Sequence, residues 1–147
     1  TPECVVYYQE GRVEDFSKIS EFILNSAKEC LKINPQIKCV SPDYCFIEYL
    51  DDQYLKNNFL IRYSQAVNEM GKENDLIHFK TLKRQKAVCI YVKGSYLKLP
   101  EAYSFIFNYI KENNLKVDGS PRERYIDGVW NKDNEEDYLT EIEVPIL

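Results

Sequence analysis

The apolar positions in the first half of the chain form two strand-like groups separated by one helical stripe. The run at 5–8 predicts a short strand that ends at Gly11. The following apolar residues recur at helical spacing over about 18 residues and stop before Asn34-Pro35. Runs at 43–50 and 58–67 are rich in aromatic and β-branched residues and predict a hairpin. The first half is therefore predicted to be β-α-β-β.

The second half repeats this order. A run at 77–82 predicts an additional strand leading into it, and 87–92 predicts its first strand. Pro100 suits the first turn of a helix, where no amide donor is required, and the helical spacing continues to Asn113-Asn114. Runs at 123–130 and 138–146 predict the last two strands. The second half is again predicted to be β-α-β-β.

Short segments also match between the halves. Phe22-Ile23-Leu24-Asn25 recurs as Phe105-Ile106-Phe107-Asn108, and the Ser-Pro pairs at 41–42 and 120–121 each precede a strand. We therefore predict an α+β fold: a tandem β-α-β-β duplication with pseudo-twofold symmetry, an antiparallel sheet with helices on one face, and a central ligand cleft. Residues 1–147 would form a single domain of two repeats, about 4–70 and 76–147.

Strand alternation predicts which side chains share a face. Ile47 and its counterpart Ile126 are expected to point at the helices, which places Tyr44, Glu123 and Tyr125 on the opposite face. Aromatic rings and a carboxylate on an uncovered face suit a pocket wall. The alternative is a solvent-exposed carboxylate with the aromatic rings packed sideways, and the residues by themselves favour neither.

Glu123 is the strongest candidate for a ligand-binding or catalytic residue. A carboxylate among aromatic rings would attract a lipophilic cation, with each ring adding about 0.5–2 kcal/mol of cation–π attraction. The alternative is a surface ion pair with Arg122, Arg124 or a cross-strand lysine, worth only about 0–1 kcal/mol. The sequence alone favours the ion pair. As an enzyme, the chain would use Glu123 with Tyr125, Tyr49 or Tyr96 to hydrolyse a strained or activated small molecule, with Glu123 as the base or nucleophile.

The sequence leaves two alternatives open for each of Glu141 and Trp130. Alternation groups Glu141 with Leu139 and Glu143, away from the core side of the last strand, where a solvated outer face is favoured over a cleft. Trp130 ends its predicted strand beside an acidic loop and is either a lid or a core anchor.

Composition narrows the function classes. The net charge is −5 with scattered Lys and Arg, which argues against direct nucleic-acid binding. No apolar run reaches the roughly 18–20 residues that span a bilayer, and no signal peptide is present. Five cysteines without CxxC spacing and one histidine, His78, give no zinc motif, so we expect buried, reduced cysteines, a cytoplasmic protein and no metal or cofactor. The start at Thr1 favours an excised domain.

The second half carries a recognisable pattern. It contains Tyr91-x-x-Gly94-x-Tyr96, then Ser120-Pro121-x-Glu123-x-Tyr125-Ile126, then the closing segment at 138–146. This resembles the gyrase-inhibitor-like (GyrI-like) effector-binding domain, the ligand-sensing C-terminal half of many bacterial MerR-type and AraC-type regulators. The resemblance implies binding of hydrophobic, often cationic aromatic molecules and multidrug sensing. It also implies that DNA is bound only through a separate upstream domain, and that a homodimer would form through that missing part.

The resemblance also assigns residues. Glu123 matches the buried glutamate of multidrug sensors, and Tyr44, Phe59 and Tyr63 fall near their aromatic wall. Leu99 stands where those sensors carry a Tyr. Some members hydrolyse small electrophiles, which would make Glu123 and Tyr125 catalytic, and gyrase-inhibitor relatives bind proteins. The expected ligand-binding residues are Glu123, Tyr44, Phe59, Tyr63, Tyr96, Leu99, Tyr125, Trp130 and Glu141.

Overall fold

Strands and helices follow one another in the same order in two compact parts of the chain. The computed structural model describes residues 1–52 and 55–147. Pro2–Arg84 form one unit, here called the N-terminal unit, and Gln85–Leu147 with Thr1 form the C-terminal unit. Each unit has an antiparallel sheet and one α-helix, which confirms the predicted α+β class. Descent of the two units from a duplication stays a prediction.

The N-terminal unit has a four-stranded sheet in the order β4-β1-β3-β2. Its elements are β1 (Cys4–Val13), α1 (Ile19–Ile33), β2 (Cys45–Tyr49), β3 (Phe59–Val67) and β4 (His78–Leu82). The predicted end of the first strand at Gly11 is wrong, because β1 continues through Gly11 to Val13. A Cβ at Gly11 would lie 2.7 Å from the Phe22 ring of α1, so this glycine admits the helix instead of ending the strand.

The C-terminal unit has a three-stranded sheet in the order β6-β7-β5. Its elements are β5 (Lys86–Lys93), α2 (Leu99–Glu112), β6 (Arg122–Asp127) and β7 (Leu139–Ile146). The strand predicted at 123–130 ends earlier than expected. The β6–β7 pairing shifts register between Tyr125 and Asp127, and a turn follows in which Lys132 N–H donates to the Gly128 carbonyl at 2.9 Å.

Both helices begin after a short 3₁₀ turn that is capped by a side chain. The Asp15 carboxylate accepts from Ser17 N–H at 2.9 Å before α1, and the Ser95 hydroxyl accepts from Leu97 N–H at 3.2 Å before α2. Pro100 lies in the first turn of α2, as predicted.

Each helix covers one face of the sheet in its own unit. The α2 core contains residues from the helix and from β5 and β7: Val92, Ala102, Ile106, Ile110, Ile142 and Val144. In the N-terminal unit, Gly11 marks the α1 face, and alternation along β1 places Gln9 on that face. Gln9 pairs with Tyr63, which pairs with Ile47, so Ile47 faces α1 as predicted. Tyr44 packs with Val6 and Ala66 on the other face, also as predicted.

The predicted face of Glu123 is wrong. Glu123 pairs directly with Ile142, which packs against α2, so Glu123 lies on the helix-covered face. Tyr125 pairs with Thr140 on the same face. Ile126, used as the reference for the prediction, falls at the register shift and is 39% exposed. The irregular pairing breaks the alternation on which the prediction depended.

Candidate functional site

Glu123 is the buried carboxylate on the α2 face of the C-terminal sheet. Its residue is only 4% exposed, and the Tyr125 hydroxyl donates to Glu123 Oε2 at 2.8 Å. The short two-residue spacing along β6 places both side chains on one face, which allows this contact. A solvent-exposed ion pair is excluded by the burial, and Arg124 is bonded to Glu141 on the other face at 3.3 Å.

Tyr125, which contacts this carboxylate, belongs to a chain of three packed tyrosine rings. Tyr96 comes from the 3₁₀ turn before α2, and its ring centroid lies 5.8 Å from that of Tyr125 in an edge-to-face arrangement. The Tyr138 ring centroid lies 5.1 Å from that of Tyr96. Such aromatic pairs contribute about 0.5–1.5 kcal/mol beyond burial of area. We call Tyr96, Tyr125 and Tyr138 the tyrosine cluster.

The pKa of Tyr96 is raised in this cluster, chiefly by burial and partly by the nearby carboxylate of Glu123. Burial, together with the neighbouring Tyr138 and Glu123, raises the pKa of Tyr96 to about 12. Tyr96 therefore stays neutral at physiological pH, with a hydroxyl that can donate a hydrogen bond. The cluster therefore combines aromatic rings, the neutral Tyr96 hydroxyl and the Glu123 carboxylate.

Gly128 brings a tryptophan to this cluster. A Cβ at Gly128 would overlap the Trp130 ring and would lie 2.8 Å from Tyr96 Oη, so only a glycine permits both approaches. The turn is held by Asn131, which accepts from Gly128 N–H at 2.9 Å and donates to Asp127 Oδ1 at 2.8 Å. Trp130 remains 52% exposed, so it covers the edge of the cluster and does not anchor the core.

The structure thus brings together four of the predicted residues, Glu123, Tyr125, Tyr96 and Trp130, and adds two that sequence reasoning missed. The sequence could have indicated Tyr138, because alternation along the last strand groups it with Thr140 on the core side. Gly128 gave no signal, because a close approach of two rings to one backbone position depends on tertiary contacts.

The other two predicted residues of the C-terminal unit, Leu99 and Glu141, lie on opposite sides of its sheet. Leu99 begins α2 and packs, half-buried, against the α2 core. Glu141 pairs with Tyr91 and Arg124 on the sheet face opposite α2. The favoured interpretation of a solvated outer face is wrong, because Glu141 is 4% exposed.

The aromatic residues predicted in the N-terminal unit lie on two different faces of its sheet. Tyr44 belongs to the cluster that faces away from α1. Tyr63 lies on the α1 face, where its hydroxyl donates to Gln65 Oε1 at 2.8 Å. Phe59 also lies on the α1 face, with its ring centroid 4.7 Å from that of Phe16 and 5.6 Å from that of Tyr49. These three residues therefore do not form one continuous wall within the unit.

No described helix is long and apolar enough to cross a membrane. Chemically, the Glu123 site offers one buried negative charge, neutral phenols and aromatic faces. That combination suits an aromatic or lipophilic cation, since the carboxylate attracts the charge and the rings contribute cation–π contacts.

Comparison with solved structures gives two close matches. The crystal structure of the EcmrR C-terminal domain is 36% identical, with a TM-score of 0.88, and the match covers 100% of this chain and 93% of that one. The cryo-EM structure of the EcmrR–DNA complex in EcmrR-RPo is also 36% identical, with a TM-score of 0.89. This match covers 99% of the present chain and 55% of that one, so the chain spans about half of EcmrR as seen in that complex.

Two more distant structures share the fold alone. SAV2435 bound to tetraphenylphosphonium is 16% identical with a TM-score of 0.56, and the match covers 100% of this chain and 90% of that one. A hydrolase from Listeria innocua is 10% identical with a TM-score of 0.70, with coverages of 99% and 88%.

Comparison with curated proteins finds no match. A sequence model of the GyrI-like small molecule binding domain matches residues 5–147, which is nearly the whole chain. Together with the 36% identity to the EcmrR C-terminal domain over the full chain, this match shows that the chain belongs to the family of GyrI-like small molecule binding domains.

Proposed function

We propose that this chain is the effector-binding domain of a bacterial transcription regulator, and that its ligands are hydrophobic, often cationic aromatic molecules. The observation that carries the proposal is the burial of Glu123 beside the tyrosine cluster. The Tyr125 hydroxyl donates to Glu123 Oε2 at 2.8 Å, and the Tyr96 ring packs edge to face against that of Tyr125. A lipophilic cation at this site would meet a carboxylate and aromatic ring faces, both of which attract positive charge.

The aromatic surroundings favour a ligand with a delocalised or shielded charge. The rings of Tyr96 and Tyr125 meet edge to face next to the carboxylate, and Trp130 lies at the edge of the group. Cation–π attraction contributes about 2 kcal/mol or more once the cation is desolvated. A small, strongly hydrated ion would lose more hydration energy than these contacts return, so we infer a lipophilic cation.

The regulator assignment is supported by the likeness to the EcmrR C-terminal domain and by the DNA complex of EcmrR. We propose that a part of the full protein outside this chain contacts DNA and forms a homodimer, and that the regulator works in the cytoplasm. The net charge of −5 and the scattered Lys and Arg of the present chain argue against direct DNA binding by it.

Trp130 gives a direct test, because it is the only tryptophan in the chain. Tetraphenylphosphonium is a suitable probe, since SAV2435, a protein of the same fold, has been solved bound to it. Titration should quench or shift Trp130 fluorescence in a saturable way, and Glu123→Gln should weaken this binding at least tenfold. Glu48→Gln is the matched control, because Glu48 is another buried carboxylate and lies in the N-terminal unit, where it is bonded to Arg62 at 3.1 Å. Equal binding by Glu123→Gln and Glu48→Gln would overturn the proposal.

A hydrolase is the second candidate, because the phenol of Tyr125 lies within hydrogen-bond distance of the Glu123 carboxylate. This pair could activate a nucleophile at a strained or reactive substrate. Incubation with reactive esters and strained-ring compounds distinguishes the two functions. Turnover that Glu123→Gln and Tyr125→Phe both abolish would favour the hydrolase, whereas saturable binding without turnover favours the effector domain.

A further inference from the structure

A second group of functional side chains lies away from the Glu123 site. Cys89 on β5 and Glu141 and Glu143 on β7 place one thiol sulfur and two carboxylate oxygens within 4.8 Å of one another. We call these three residues the Cys89 cluster. Among the described residues, it is the one group of three or more His, Cys, Asp or Glu side chains that meets this distance.

Strand register builds the cluster. Cys89 pairs directly with Glu143, and Tyr91 pairs with Glu141, so two neighbouring rows of side chains lie on one face. This face is opposite α2, because Ile142, between the two glutamates, packs against the helix. The Cys89 cluster is therefore separated from Glu123 by the sheet itself.

The two carboxylates are not ordinary surface acids. Glu141 is 4% exposed and Glu143 is 5% exposed, whereas Cys89 is exposed to solvent. An ion from solution therefore reaches the sulfur first and then meets two carboxylates that are already fixed by the sheet. Rigid donors on two hydrogen-bonded strands lose little conformational freedom when an ion binds.

Two arginines lie on the same face as the Cys89 cluster, so its carboxylates could serve in salt bridges instead of a metal site. Arg124 Nη1 lies 3.3 Å from Glu141 Oε1, and Arg122 pairs across the strand with Glu143. A carboxylate has about four acceptor positions, so Glu141 can keep its arginine and still coordinate an ion. The competing interpretation is a salt-bridged face that has no ligand.

The thiol is not suited to act as a free nucleophile. Burial raises the pKa of Cys89 to about 11, and Glu143 and Glu141 raise it in the same direction. A reactive cysteine needs the reverse, a pKa lowered by positive charge.

We propose that the Cys89 cluster binds a divalent thiophilic metal ion, Zn²⁺ or Cd²⁺, through the Cys89 sulfur and one oxygen each of Glu141 and Glu143. Zn–S bonds of about 2.3 Å and Zn–O bonds of about 2.1 Å put tetrahedral donors about 3.5 Å apart. The side chains therefore need to close by roughly 1 Å around the ion, and water completes the fourth position. Mixed sulfur and oxygen donors select these ions over Mg²⁺ and Ca²⁺, which prefer oxygen alone.

Cadmium is the probe for the test, because a cadmium–thiolate bond has an ultraviolet charge-transfer absorption. The reduced protein should show this band with saturable 1:1 binding, and Zn²⁺ should abolish the band by displacement. Cys89→Ser should remove it. Cys39→Ser and Cys45→Ser are matched controls that should keep it, since Cys39 is another exposed thiol and the Cys45 sulfur lies 3.8 Å from the Asp43 carboxylate. The exposure of Cys39 and Cys89 shows that the predicted burial of the cysteines is wrong for these two residues.

The carboxylates are tested separately. Glu143→Gln should weaken Cd²⁺ binding at least tenfold, while circular dichroism confirms that the variant is folded. An unchanged affinity in Glu143→Gln would show an adduct of one thiol and would overturn the proposal, as would a band that survives in Cys89→Ser. Binding of tetraphenylphosphonium by Cys89→Ser should equal that of the unmodified protein, because the sheet separates the two sites.

Discussion

Replacing Tyr125 by Phe tests the hydrogen bond that holds the Glu123 carboxylate. The substitution keeps the ring beside Tyr96 but removes the hydroxyl that donates to Glu123 Oε2 at 2.8 Å. Because Glu123 is only 4% exposed, water replaces the lost donor poorly. A hydrogen bond to a charged group contributes about 1.5–3 kcal/mol, and we expect a loss of about 2 kcal/mol in the free energy of unfolding.

Urea unfolding followed by circular dichroism measures this loss. With a slope of about 2 kcal/mol per M, the midpoint should fall by about 1 M. Tyr109→Phe is the control, because Tyr109 is exposed on α2 and its substitution should change stability by less than about 0.5 kcal/mol. If both variants unfold at the same urea concentration, the hydroxyl does not stabilise the carboxylate and the reasoning is wrong.

Two further predictions concern the tyrosine cluster. Gly128→Ala would place a Cβ against the Trp130 ring and 2.8 Å from Tyr96 Oη, so it should shift Trp130 emission and weaken tetraphenylphosphonium binding several-fold; unchanged emission would contradict the close packing. The raised pKa of Tyr96, about 12, favours the neutral phenol in the folded state, so the associated stability is present below pH 10 and is lost as the pH rises towards 12. Between pH 10 and pH 12, the free energy of unfolding of Tyr96→Phe should therefore fall less than that of the unmodified protein, as measured by urea denaturation at a series of pH values. An equal fall in both proteins would show that Tyr96 does not carry this pH dependence.

The order of elements was predictable because it depends on local periodicity. The helical spacing from Leu99 and the proline in its first turn predicted α2 almost residue by residue. Paired β-branched and aromatic runs likewise predicted β2 and β3. The end of β1 was wrongly predicted at Gly11, because the sequence does not distinguish a glycine that ends a strand from one that makes room for a helix packed against the strand.

The face of Glu123 could not be predicted because strand alternation fails where the pairing shifts. The prediction transferred the orientation of Ile47 to Ile126, but Ile126 lies at the register shift of β6. A shift of one residue moves every side chain to the other face. The choice of Glu123, Tyr125 and Tyr96 as site residues stays a prediction, and it depended on their residue types and on a family resemblance.

The Cys89 cluster shows a different limit of sequence reasoning. Motif spacing searches for ligands close together in the chain, and no such spacing exists here. Antiparallel pairing brings Cys89 beside Glu143, although more than fifty positions separate them in the sequence. Only the register of β5 against β7 reveals this group.

The central claim is that the charge of Glu123 recognises the charge of the ligand. Calorimetric titration of the unmodified protein and Glu123→Gln with tetraphenylphosphonium and with neutral triphenylphosphine oxide tests it directly. The account predicts that Glu123→Gln weakens the phosphonium at least tenfold, about 1.4 kcal/mol, and changes the neutral compound by less than twofold. Equal weakening of both compounds, or no change in either, would contradict it.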